Sequence, residues 1–73
     1  RRLLDDALER TRRHGAVLNE AETLRARAEL LAAGGEPLAA LEDARAALGL
    51  FGRLHAVEES AALLRWMEAL QLP

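Results

Sequence analysis

The sequence predicts an all-α chain of antiparallel helical hairpins, about four helices in series. Three observations carry this. Val17 and Val57 are the only β-branched aliphatic residues, so strands have almost no support. Apolar residues make up 51% of the 73 positions, yet only Trp66 and Phe51 are aromatic, which leaves Leu and Ala to build the core. Apolar positions recur every three or four residues between Gly and Pro breakers, the period of a one-sided helix.

The first predicted helix runs from about Leu3 to Arg13, with Leu4, Ala7, Leu8 and Thr11 on one face, and stops near His14-Gly15. A Gly just past the last turn takes the left-handed conformation at no cost in Cβ contacts. The second helix spans about Val17 to Ala33. Its Val17, Ala21, Leu24, Ala28 and Leu31 fall at steps of 4, 3, 4 and 3, and Gly34-Gly35 ends it. The third starts at Glu36-Pro37, where Pro suits the first helical position and a carboxylate favours the positive end of the dipole. It runs to about Phe51 and stops at Gly52. The fourth spans roughly His55 to Leu70, before Pro73. Linkers this short force neighbouring helices antiparallel.

The chain also matches itself. Residues 7–32 laid on 47–72 pair Ala7/Ala47, Leu8/Leu48, Arg13/Arg53, Ala16/Ala56, Val17/Val57, Ala21/Ala61, Leu24/Leu64, Arg25/Arg65 and Leu30/Leu70. The excess over a chance match in an Ala- and Leu-rich chain marks a repeat of one helix pair, about 34 to 40 residues long.

These residues resemble a known family. The run 21–54 looks like a tetratricopeptide repeat (TPR), the two-helix unit of about 34 residues that stacks into a right-handed superhelix. Leu24 fits the family's large position in the first helix, Ala28 the small one, and Leu31 the later aromatic position. Gly35-Glu36 resembles the family's Gly-Asp turn. Ala40 and Ala47 fall on the two small residues through which neighbouring helices approach, beside Leu41 and Leu48. Arg27, Ala44 and Gly52 depart from the family pattern, which has Leu, an aromatic residue and Pro there. Longer variants of the repeat are common in large bacterial regulators, and this chain is closer to those. The resemblance implies one TPR-like domain over 1–73, with partial repeats at 1–20 and 55–73 around the central unit. A plain helical bundle has the same short loops and apolar faces and is the competing architecture. The chain opens on Arg1-Arg2 rather than Met, which predicts a piece of a longer protein.

Composition excludes several classes of function. The net charge is −2, with no broad excess to attract nucleic acid. Every basic side chain is Arg. The absence of Cys rules out disulfides and thiolate metal sites, and suits a reducing, cytoplasmic compartment. No apolar run reaches the roughly 18 residues that a membrane span needs. Catalysis has little to stand on. His14 and His55 are isolated, Ser60 lacks nucleophile-elbow glycines, and Asp5-Asp6 and Glu58-Glu59 point about 100° apart on a helix. Gly34-Gly35 is not followed by the Lys of a phosphate loop. Arg1, Arg2, Arg10, Arg12 and Arg13 are offset by Asp5, Asp6 and Glu9, and no base-stacking aromatic lies near them. The expectation is a non-catalytic chain without metal or cofactor.

In TPR arrays the first helix of each unit lines a concave, peptide-binding groove. By that resemblance Glu22, Arg25, Ala26 and Glu29 face the groove, followed by Arg65, Trp66 and Ala69 of the next unit. Arg25 and Arg65, equivalent under the repeat, would hold the carboxylates of an acidic or C-terminal peptide. Glu22 and Glu29 also lie within reach of Arg25 along the helix, and Glu68 within reach of Arg65, so ordinary intrahelical pairs compete with this role. Trp66 is open to two roles, groove contact or core packing with Leu63, Met67 and Leu70. The sequence thus points to a protein-interaction scaffold. Self-association, head to tail or by helix exchange, and service within a larger bacterial regulator are its alternatives.

Overall fold

The computed structural model describes residues 2–71, with side chains at position 10 and over 12–71. The expected face of Leu4, Ala7, Leu8 and Thr11 lies outside the described side chains. Among the described residues the chain is all-helical, without strands: α1 is Arg2–Ala33, α2 is Pro37–Arg53 and α3 is Val57–Gln71. The structure is elongated, 56 × 20 × 12 Å. Its long axis follows α1, whose 32 residues rise about 48 Å at 1.5 Å each.

Three helices replace the expected four, because α1 runs straight through Gly15. One interior Gly costs about 1 kcal/mol relative to Ala, and the Arg and Ala around it are strong helix formers. A turn at Gly15 would also gain little burial. Leu63 and Met67 of α3 are buried in the core, with Ser60 and the preceding Ala56 half-buried along the same line, and the residues forty places earlier are Ala16, Glu20, Thr23 and Arg27. All four are exposed and three are polar, so a folded-back N-terminal segment would find no apolar seat on α1.

Both turns have the same hydrogen-bonded form. At the end of α1, the Gly35 N–H donates to the Ala32 carbonyl at 3.2 Å and the Glu36 N–H to the Leu31 carbonyl at 2.9 Å. At the end of α2, the His55 N–H donates to the Gly52 carbonyl at 3.1 Å and the Ala56 N–H to the Phe51 carbonyl at 3.0 Å. This pattern needs a left-handed residue just past the helix cap, the donor of the three-residue bond, and Gly35 (φ +82°) and His55 (φ +55°) supply it. Gly52 is therefore not the stop for α2. It lies inside the helix, and a histidine takes the conformation that glycine usually provides.

The core is built on alanine. Ala21 and Ala28 of α1 and Ala40, Ala44 and Ala47 of α2 are completely buried. Ala40, Ala44 and Ala47 repeat at i, i+4 and i+7, so one edge of α2 carries only methyl groups. Leu24, Leu41 and Leu48 pack around this seam, and Leu31 is half-buried. Past it, Phe51 of α2 and Leu63 of α3, the largest fully buried side chains, join the same core cluster, with Met67 also part of it. α1 and α2 form the larger contact, while α3 rests on α2 and meets α1 only marginally.

Ala47→Leu should destabilise the chain by about 1–3 kcal/mol through overpacking, whereas Ala46→Leu, at an exposed neighbour, should stay within about 0.5 kcal/mol. Urea midpoints measure both. The turns predict a pair of opposite effects. Gly35→Ala should cost about 1 kcal/mol, because Ala resists the left-handed conformation, and His55→Gly should gain about 0.5–1 kcal/mol by relieving it.

Candidate functional site

The residues expected to line a concave groove divide into engaged and free. The Arg25 Nε lies 3.6 Å from a Glu29 carboxylate oxygen, one turn further along α1, the intrahelical pairing that competes with ligand binding. Trp66 is half-buried and packs against the core cluster beside Leu63 and Met67. Glu22, Glu29 and Arg65 are exposed. The set is split between α1 and α3, which touch only marginally. Histidines 14 and 55 are both exposed, and no group of three or more potential metal ligands occurs among the described residues. No helix among them is long and apolar enough to cross a membrane.

A concavity lies elsewhere. An open groove of about 360 Å³ runs beside the α2–α3 turn, lined by Gly52, His55, Ala56, Val57, Ala61 and Leu64, with the Ser60 hydroxyl as a polar feature. Gly52 leaves its wall bare, since nothing stands within 4 Å of where a Cβ would project. Val57 and Leu64 remain 75% and 45% exposed. Exposed apolar side chains alone are ordinary, but these have a counterpart inside the same chain. Forty residues earlier, Ala21 is fully buried and Val17 and Leu24 are half-buried. The face that α1 turns inward is left open on α3.

Sequence reasoning missed this groove, although its signal was the Val57, Ala61, Leu64 stripe within the internal match. It missed a second feature as well. Arg27, the departure from the repeat pattern on α1, reaches across to α2 and grips Asp43 with two parallel hydrogen bonds, Nε to Oδ2 at 2.5 Å and Nη2 to Oδ1 at 2.9 Å. No family model matches this sequence, and neither a curated protein nor a solved structure matches it.

The hydrogen bonds from Arg27 hold the Asp43 carboxyl below its ordinary value of 3.8, and Asp43 in turn raises the guanidinium. Arg27 is 63% exposed and Asp43 13%, so water screens one side of the pair. A carboxyl whose folded pKa is lowered lends stability above its unfolded pKa and loses it as pH falls through the folded one. Asp43→Asn should therefore lower the thermal midpoint at pH 7. The difference from the parent chain should shrink below pH 3.8 and vanish once Asp43 is protonated in both states. Melting curves taken from pH 7 downward through 3.8 measure this.

Proposed function

We propose that the chain is a non-catalytic protein-interaction scaffold, a short stretch of TPR-like helical stack that offers a concave surface to a peptide or partner protein. The observation that carries this reading is the open apolar groove on α3, whose residues repeat a face that α1 keeps inside. The completely buried Ala28, Ala40 and Ala47 support the stacked arrangement, because they stand where the repeat pattern needs small residues. In this reading the scaffold works without metal or cofactor in a reducing, cytoplasmic setting; service as part of a larger bacterial regulator is the alternative.

In this reading Arg65 is the primary contact for a carboxylate, and Arg25 joins it by exchanging Glu29 for the ligand. That exchange costs little, since an exposed pair of this spacing is worth roughly 0.3–0.5 kcal/mol. Glu22 and Glu29 border the site, and Trp66 supports it from beneath.

Binding of peptides with acidic C-termini, measured by calorimetry, tests the assignment. Arg25→Glu combined with Arg65→Glu should weaken the best binder at least tenfold with helical content unchanged by circular dichroism. Unchanged affinity, or no binding by the parent chain to any such peptide, removes the acidic groove.

A further inference from the structure

The bare face of α3 carries its own complement. Val57, Ala61 and Leu64 lie in one line along the helix, with the smallest in the middle. Glu58 and Arg65 are seven residues apart, two helical turns, and so stand on the same flank of that line. Both are exposed, and neither forms an ion pair with another described residue. Acid and base thus sit at opposite ends of one flank, with the apolar line beside them.

A flank of this kind is matched by its own copy, reversed. When two α3 helices run antiparallel about a two-fold axis near Ala61, Val57 of each faces Leu64 of the other. Ala61 meets Ala61, and Glu58 of each stands opposite Arg65 of the other. A parallel pair, with its two-fold axis along the helices, would put this flank on opposite sides of the contact in the two copies, so Glu58 and Arg65 would meet no partner across it. We propose that the exposed α3 face, Val57, Ala61 and Leu64 flanked by Glu58 and Arg65, is a self-association surface on which a second copy of this chain docks antiparallel to form a two-fold dimer. Such isologous pairs are the commonest closed assembly of identical chains. The contact spans about two turns of one helix, well short of the roughly 800 Å² per partner typical of stable complexes, so the dimer is weak and forms only at high concentration. This rests on the open α3 groove of the proposed function, whose lining includes Val57, Ala61 and Leu64, and names its occupant. Glu58 lies outside that lining and outside the acidic-peptide contacts, so Glu58→Arg tests the dimer without touching peptide binding.

Sedimentation equilibrium of the 73-residue chain, from about 10 μM to about 1 mM, tests the proposal over the range expected for so small an interface. The mass should rise from 8.0 kDa toward twice that value and no further. Leu64→Glu, at a half-exposed position, should hold the chain monomeric while circular dichroism shows its helices intact. Glu58→Arg and Arg65→Glu should each raise the dissociation constant roughly tenfold, because each sets like charges face to face. Glu58→Arg combined with Arg65→Glu should return it to within about threefold of the parent, because the pairs are restored with reversed sign. A monomer at every concentration would overturn the proposal and assign the face to a different protein or a further helix. Growth past the dimer would overturn it in favour of a head-to-tail contact. A combined variant as weak as the single ones would remove the antiparallel register.

Discussion

Close approach of helix backbones over methyl groups is the constraint from which the rest of this structure follows. Five of the core residues are alanines without exposed surface, and three of them form a continuous edge on α2. Ala brings helices together but buries little apolar area of its own, so the seam gains stability mainly from the leucines that close around it. A side chain the size of Phe or Leu contributes about 1.5–3 kcal/mol when buried. Phe51 and Leu63 therefore matter more here than in a leucine-filled bundle of the same length. Both belong to the one core cluster, Phe51 from α2 and Leu63 from α3, and α2–α3 is the smaller of the two interfaces. The α1–α2 hairpin has the alanine seam, its surrounding leucines and the Arg27–Asp43 bridge; α3 contributes Leu63 and Met67, with Trp66 packed against the same cluster.

How much of this was legible in the sequence depends on whether a signal was local. The start of α2 was, because Pro37 fixes its own dihedral and Gly35 supplies a left-handed turn, and neither needs a neighbour. The burial of Ala40, Ala44 and Ala47 follows from spacing alone. Gly15 misled because glycine permits a turn without requiring one, and the deciding factor was what a returning segment would rest on. Glu20, Thr23 and Arg27 offer nothing apolar. The end of α2 misled for a related reason. Gly52 is the better left-handed residue, yet the turn is set three residues on, at His55, where the chain can bury Phe51 and still begin α3.

The candidate site was less readable than the fold. Arg25 and Glu29, four residues apart, predicted their own pairing. The groove did not announce itself, because Val57, Ala61 and Leu64 look the same in sequence as Val17, Ala21 and Leu24. Only the presence or absence of a helix alongside separates the inward face from the open one. The Arg27–Asp43 bridge was hidden for a similar reason: it joins residues 16 apart through the register of two helices, and no local pattern encodes that register.

The two ends of the structure differ, and the difference limits how copies can combine. A ladder of copies needs an apolar donor face at one end and an apolar acceptor at the other. The α3 end offers Val57, Ala61 and Leu64. The corresponding outer face of α1 presents Glu20, Thr23 and Arg27 to water, with Arg27 already committed to Asp43. Pressing an apolar helix onto that face would strip water from charged groups without returning their hydrogen bonds, and such desolvation outweighs the gain from a few methyl groups. In the proposed dimer the α3 face, which finds no such acceptor on α1, is covered by its own copy, and the two-fold contact then uses up the face on both partners. Closure at two in the proposed dimer follows from that asymmetry, and the same polar face of α1 is why its N-terminal half runs straight on past Gly15.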